Sequence, residues 1–156
     1  MGGDPIRPCW YCSAPLPSWT IRDATDSDLE PVLDLWVTEG VPPSVSDTRE
    51  ALEGLMATDR QALLVAEAGG VVIGSLIAAW DGWRGSFYRL AVHPGSRRLG
   101  IAAALLREGE RRLRGRGAVR FTAIVWQEDA VAMGFWEAAG YLRQPDRTRF
   151  VRSARD

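Results

Sequence analysis

The fold is decided by the stretch VHPGSRRLGIAAALL, residues 92–106, which predicts the end of a strand, a turn and the start of a helix. Residues 86–92 are rich in aromatic and branched side chains, as strands are. Pro94 ends the strand because it has no backbone N–H to donate. The apolar periodicity that follows predicts a helix from Arg98 to Arg114. A strand that turns directly into a helix therefore lies at the centre of the chain.

The start of this helix has the chemistry of an anion site. The first N–H groups of a helix have no partner within it and carry partial positive charge, which suits a phosphate. Gly100 leaves the backbone accessible, and Arg97 and Arg98 add forked cationic donors. The nucleotide-binding loops Gly-x-Gly-x-x-Gly and Gly-Lys-Ser/Thr are absent from the sequence. The stretch predicts a diphosphate site, with a solvated helix start as the alternative.

Two motifs carry a family resemblance. The first, Arg97-x-x-Gly100-x-Ala102, resembles the acyl-CoA signature Gln/Arg-x-x-Gly-x-Gly/Ala of the GNAT superfamily of N-acetyltransferases. The second, residues 129–141, is similar to that family's Asn-x-x-Ala-x-x-Phe-Tyr-x-x-x-Gly-Phe. Both motifs stand in the family's order and spacing, and the resemblance covers the chain from about Thr20 to Val151.

Turn signals and periodicity predict the order β-α-α-β-β-β-α-β-α-β-β. Gly69-Gly70 between two apolar runs predicts a hairpin, and residues 141–144 and 147–151 predict a terminal hairpin. This is the layout that the resemblance implies: an α/β (α+β) fold with a mixed, mostly antiparallel central sheet and about four flanking helices. The family also implies that one parallel strand pair splays apart to admit the pantetheine arm of the cofactor.

Composition limits the other possibilities. With 156 residues, 46% hydrophobic and 25% charged, the chain predicts one globular domain at residues 19–156, after a flexible or surface-packed tail at residues 1–18. A net charge of −1 predicts neither a nucleic-acid nor a membrane partner. We find no signal peptide or spanning segment and expect a cytoplasmic protein. Cys9 and Cys12 with one histidine are too few for a four-ligand zinc site, so we expect no metal.

The resemblance implies an activity. It implies an N-acetyltransferase that moves an acetyl group from acetyl-CoA to a primary amine, on a small molecule or a protein, by direct attack in a ternary complex. The alternative is an acyl-CoA-binding sensor or a catalytically silent relative. The terminal hairpin predicts an exposed edge at which a homodimer could form.

The resemblance also implies which residues hold acetyl-CoA. They come from the strand end, the turn and the last helix: Ala91, Val92, Arg97, Arg98, Leu99, Gly100, Ile101, Ala102, Ala103, Asp129, Phe135 and Trp136. Two positions depart from the family. Trp136 stands where the family has a tyrosine, and its indole N–H is too weak an acid to protonate a thiolate. Asp129 replaces an asparagine, and an ionised carboxylate accepts hydrogen bonds but donates none.

The catalytic groups are only partly visible in the sequence. By matching positions, the amide that binds the oxyanion is that of Val92 or its neighbour. Some relatives carry a glutamate base where this chain has Ser86, so no base is identified. Tyr88, His93 and Tyr141 are candidates for a water chain, and Tyr141 is also a candidate acid.

The acceptor site is expected among the first two helices and the hairpin strands, as in the family. We expect Trp36, Trp80 and Asp81 to line it, because aromatic and acidic side chains can receive a cationic amine. Core packing is the alternative for each tryptophan. The same region also offers Trp83, Glu39 and Asp47.

Overall fold

The computed structural model describes residues 18–154, which form a five-stranded sheet flanked by four helices. In chain order the elements are β1 (Thr20–Asp23), α1 (Leu29–Glu39), α2 (Arg49–Thr58), β2 (Leu63–Ala68), β3 (Val71–Trp80), β4 (Gly85–Val92), α3 (Ile101–Gly115), β5 (Phe121–Ala123) and α4 (Ala130–Ala138). The predicted tail at residues 1–18, with Cys9 and Cys12, lies outside the described residues except for Ser18.

The sheet has the order β1-β2-β3-β4-β5, antiparallel except for the parallel pair β4 and β5. The predicted fold class is thereby confirmed. Gly69 and Gly70 form the turn between β2 and β3 with φ of +57° and +82°, values that favour glycine. The parallel pair follows because α3 crosses over between β4 and β5.

Helices cover both faces of the sheet. On one face, α3 buries Ile101, Leu105 and Leu113 against β3 and β4, and aromatic residues of α4 pack beside them. On the other face, apolar residues of α1 and α2 pack against β2 and β3. Gly109 lets α3 approach closely, because a Cβ there would lie 2.9 Å from Phe87 Cε1. The region around β4 is therefore supported from both sides.

Two predicted features are wrong. Helix α3 begins at Ile101 rather than Arg98, because Arg98 and Gly100 have φ of +64° and +77°, which a right-handed helix cannot contain. The terminal hairpin is also not formed, since no strand follows β5 within residues 18–154. The apolar residues Leu142, Phe150 and Val151 of the predicted strands are exposed and do not pack against the core of the described residues, and an isolated two-stranded hairpin is at best marginally stable.

Candidate functional site

The two parallel strands separate in the middle of β4. They pair only where Gly85–Phe87 faces Phe121–Ala123. Strand β4 continues to Val92, and no other strand of residues 18–154 pairs with that last part on the side of β5. We call the space beside Tyr88–Val92 the cleft. It is the opening between parallel strands that the family resemblance implies.

The backbone of Val92 faces this cleft. The N–H of the next residue, His93, donates to Ile73 O at 2.8 Å, on the β3 side. Successive N–H groups of a strand point to opposite edges, so the N–H of Val92 points away from β3. A backbone donor therefore lies at the open edge of β4, where it is close enough to the Glu39 carboxylate to lower its pKa.

A β-bulge shapes β4 just before Val92. Arg89 and Leu90 stand opposite a single residue of β3, and Arg89 has φ of +52°. From the core, Ser75 Oγ donates to Arg89 O at 3.1 Å, and Trp36 Nε1 donates to Ser75 Oγ at 2.8 Å. From the surface, the Arg89 guanidinium donates to the Asp47 carboxylate in the loop between α1 and α2. The bulge is thus held on both sides.

The first turn of α3 lies next to Val92. Val92 pairs with Gly74, and a Cβ on Gly74 would lie 2.9 Å from Ile101 Cγ2. A Cβ on Gly100, the N-cap of α3, would meet nothing within 4 Å, so the space in front of the helix is open. The first N–H groups of α3 have no carbonyl of an earlier turn to bond. The structure therefore brings the predicted diphosphate residues to the same end of the sheet as Val92.

The predicted cofactor residues of the turn differ in what they expose. Arg97 and Arg98 are exposed, and Arg97 Nη2 lies 3.8 Å from Glu39 Oε1. Leu99 packs against the core, and the side chain of Ile101 is only 1% exposed. The two arginines can offer side-chain charge to an anion, whereas Ile101 can offer only its backbone.

Glu39, the last residue of α1, reaches the same place from the opposite face. Its Oε2 is buried and has no hydrogen-bond partner in the described part of the chain. Burial raises the pKa of Glu39, and the charge of Asp129 raises it further, while Arg97, the Val92 backbone and Arg89 lower it. The sequence named Glu39 only among several acceptor-side residues, because nothing local shows that α1 ends beside Val92.

The N-terminus of helix α4 lies near the cleft, since the charge of Asp129 acts on Glu39. Asp129 caps α4, and its side chain accepts from the N–H of Ala132 at 2.9 Å. The ring of Trp136 lies 5.6 Å from that of Phe135 and 6.1 Å from that of Phe87, between ring centroids. Trp136 therefore packs over the paired part of β4, and the predicted contact of Asp129 with pantetheine stays a prediction.

The two tyrosines and Ser86 are placed differently. Tyr88 follows the last pair of β4 and β5 directly and is 44% exposed at the cleft. Tyr141 OH donates to Glu110 Oε1 at 2.8 Å, and burial together with this bond raises the pKa of Tyr141. Glu110 lies about 15 Å along α3 from Gly100, at 1.5 Å per residue. Tyr141 is thus not brought to the cleft. Ser86 is also engaged elsewhere, since its Oγ lies 3.1 Å from Thr122 Oγ1 on the neighbouring strand β5.

The structure does not bring the predicted acceptor residues to the cleft. Trp80 and Asp81 stand at the turn before β4, about 23 Å from Val92 at the rise of a strand. Asp81 accepts from the backbone of Trp83 at 2.8 Å and of Arg84 at 2.6 Å, so it stabilises that turn. Trp36 is 3% exposed and supports the bulge from the core.

Among residues 18–154, no three His, Cys, Asp or Glu side chains come together in a way that could hold a metal ion. The helices of this same part of the chain are all too short or too polar to cross a membrane.

Known proteins share the fold described above. Three similar solved structures are Ard1 of Thermoplasma volcanium (20% identity, 80% of this chain and 82% of that chain, TM-score 0.72), the PaiA N-acetyltransferase of Thermoplasma acidophilum in complex with coenzyme A (19%, 78% and 88%, 0.66) and the aminoglycoside N-acetyltransferase AAC(6')-Iy in complex with CoA (20%, 91% and 99%, 0.69). These likenesses show a shared fold. The model of the acetyltransferase (GNAT) family matches residues 26–141, which is more than half of the sequence. The chain therefore belongs to the GNAT acetyltransferase family.

Proposed function

We propose that the protein is an N-acetyltransferase that moves an acetyl group from acetyl-CoA to a primary amine by direct attack in a ternary complex. The observation that carries the proposal is the open edge of β4, with the Val92 N–H facing the cleft, beside the accessible first turn of α3. Two structures of the same fold are described as complexes with coenzyme A, which supports this choice of donor.

In this proposal the diphosphate of acetyl-CoA binds at the first turn of α3. The backbone N–H groups from Leu99 to Ala103 supply uncharged donors, and the exposed Arg97 and Arg98 supply positive charge. The pantetheine arm then runs along the unpaired edge of β4, at Ala91 and Val92. The N-terminus of α4, with Asp129, Phe135 and Trp136 behind it, forms the other wall.

The chemistry requires little covalent help from the protein. The lone pair of the acceptor nitrogen attacks the thioester carbon, and negative charge develops on the carbonyl oxygen. The N–H of Val92 or its neighbour stabilises this oxygen, and one such donor contributes about 3 kcal/mol in other enzymes. Collapse breaks the C–S bond; the nitrogen gives up one proton and the leaving sulfur takes one, so the protons balance. Tyr141, the acid expected from the sequence, donates to Glu110 instead, so we propose Tyr88, half-exposed beside the cleft, as the acid in its place.

The proposal is tested with acetyl-CoA and a panel of amines, comprising peptide α-amines, lysine side chains, polyamines and aminoglycosides. Release of free CoA thiol is measured with and without each amine. Thiol release that depends on an amine, together with the acetylated amine as product, supports the proposal. Tight acetyl-CoA binding with no amine-dependent release across the panel would instead support the alternative, a sensor or catalytically silent relative.

Trp136 is expected to act by packing rather than as an acid. Trp136→Phe keeps a ring against Phe87 and Tyr141, so we expect far less than the roughly 10²-fold rate loss that removal of a general acid causes. Trp136→Ala should lower the free energy of unfolding by about 2 kcal/mol, less than for a fully buried tryptophan. Initial rates and urea denaturation check both, with the exposed Trp83→Phe as control. A hundredfold rate loss in Trp136→Phe with unchanged acetyl-CoA affinity would make the indole catalytic.

We also propose a homodimer, formed at the edge of β5 instead of at the terminal hairpin. Because the terminal hairpin is not formed, no strand of residues 18–154 covers the outer edge of β5, and Ile124 and Trp126 just beyond it are 55% and 60% exposed. We expect light scattering at micromolar concentration to report a dimer, and Trp126→Glu to shift it to monomer. A wild-type monomer at every concentration would contradict this. The cytoplasmic location and the absence of nucleic-acid and membrane partners stay predictions from composition.

A further inference from the structure

Three carboxylates were candidates for receiving the acceptor amine, and the structure separates them. Asp81 holds the turn at the far end of β4. Asp47 is paired with the guanidinium of Arg89, and both side chains are at most 14% exposed. Glu39 alone of the three keeps a buried oxygen, Oε2, that has no hydrogen-bond partner among the described residues.

The position of Glu39 is specific. It lies beside the Val92 backbone, the proposed oxyanion donor, and its Oε1 is 3.8 Å from Arg97 Nη2, a proposed diphosphate ligand. That separation is too long for a hydrogen bond, so Arg97 does not neutralise the carboxylate fully. With 19% of its side chain exposed, Glu39 remains accessible from the cleft.

We propose that Glu39 is the general base of the reaction: its carboxylate binds the ammonium form of the acceptor beside the thioester and takes one proton from it. This inference rests on the proposed acetyltransferase function. The neutral amine then attacks the acetyl carbon, forming the C–N bond, and the C–S bond breaks. The second proton lost by the nitrogen ends on the CoA sulfur, and Glu39 releases its own proton to water after turnover.

Binding of acetyl-CoA makes Glu39 a stronger base. Arg97 and the Val92 N–H lower the pKa of Glu39 in the free protein, and both are engaged by the diphosphate and the acetyl oxygen in the complex. Burial and the charge of Asp129 remain and raise the pKa, while Arg89 stays paired with Asp47. The base therefore gains proton affinity when the acetyl donor is in place, which favours binding of acetyl-CoA before the amine.

The test compares Glu39→Gln with Glu30→Gln, which makes the same change on an exposed residue of the same helix. With the best amine of the panel, we expect kcat of Glu39→Gln to fall about 10²-fold or more, with the Kd of acetyl-CoA unchanged. Without the base, Glu39→Gln can use only amine that is already deprotonated. In its pH–rate profile, the fall in rate on the acid side should therefore move toward the pKa of the free amine. Glu39→Asp should recover part of the rate, and Glu30→Gln should behave as wild type. A Glu39→Gln variant with wild-type rate and pH profile overturns the proposal.

The melting temperature of Glu39→Gln shows whether this variant is folded. The raised pKa means that folded protein holds the Glu39 proton more tightly than unfolded protein, so wild type loses stability as pH rises above the ordinary value of 4.5. Glu39→Gln removes this loss. We expect it to melt at a higher temperature than wild type near neutral pH and at the same temperature below pH 4.5.

Failure of the proposed function remains distinguishable from failure of this inference. If wild type binds acetyl-CoA but acetylates no amine, the carboxyl carbon of Glu39 is titrated by NMR with and without CoA and compared with Glu30. A pKa that rises on CoA binding supports the base, and one that stays or falls overturns it. Wild type that binds no acetyl-CoA contradicts the proposed function and this inference together.

Discussion

Gly100→Glu should abolish acetyl-CoA binding, raising the Kd by about 100-fold or more, which corresponds to about 2.8 kcal/mol. Gly100 caps α3, and a side chain there points into open space in front of the helix. A carboxylate at this point would meet the diphosphate. Two like charges about 4 Å apart near a protein surface repel by about 4 kcal/mol, which is enough for the expected loss.

Two variants separate charge from backbone strain. Gly100→Gln adds the same bulk without charge and should weaken binding much less. Gly117→Glu adds the same carboxylate after the other end of α3, at a φ of +100° and with nothing near its Cβ, so it carries similar strain away from the site. Calorimetry measures binding, and circular dichroism checks the fold. Unchanged binding in folded Gly100→Glu would exclude the diphosphate from this turn.

Asp28→Asn should lower the free energy of unfolding by about 3 kcal/mol, at the low end for a broken buried ion pair because Arg22 is about one-third exposed. Asp28 is buried and accepts from Arg22 Nη1 at 2.6 Å and Nη2 at 2.9 Å, and from the Thr25 backbone at 2.7 Å. The pair joins β1 to the turn that starts α1. An amide at residue 28 would leave the guanidinium with Glu67, 2.6 Å from Arg22 Nε, as its remaining anion.

The pH dependence gives this prediction its sign. Arg22 lowers the pKa of Asp28 from 3.8 to about 2, so its stabilisation is fully present above 3.8 and is lost as pH falls through about 2. The difference between wild type and Asp28→Asn should shrink over that interval. Urea denaturation measures it, with the exposed Asp26→Asn as control, expected within about 0.5 kcal/mol of wild type. An equal free energy of unfolding for Asp28→Asn and wild type would show that the Arg22–Asp28 ion pair does not stabilise the fold.

Features set by local chemistry were predictable from the sequence. The strand before Pro94, the hairpin at Gly69-Gly70 and the core face of α3 each follow from patterns within a few residues, and the structure confirms them. The parallel pair follows from the strand-helix-strand order. The local motifs also placed Val92 and Gly100 at one end of the sheet.

Features that depend on distant partners were not predictable. Arg89 has a positive φ that no glycine signals, and the bulge depends on Ser75 and on Asp47 from other elements. Tyr141 stood close to the catalytic motif in sequence, but Glu110 on α3 holds its hydroxyl. Glu39 is an ordinary helix-end residue until the fold brings it beside Val92. In each case a long-range contact decided the role.

Acetyl-CoA is proposed to bind in the cleft, between Val92 and the first turn of α3. Amide chemical-shift mapping of labelled protein during titration with acetyl-CoA tests this proposal most directly. We predict the largest shifts at Val92 and at residues 99–103. The result that would contradict binding in the cleft is a set of shifts confined to the depression between β1 and α3, which is lined by Ile21, Ala104, Arg107, Glu108 and Arg111.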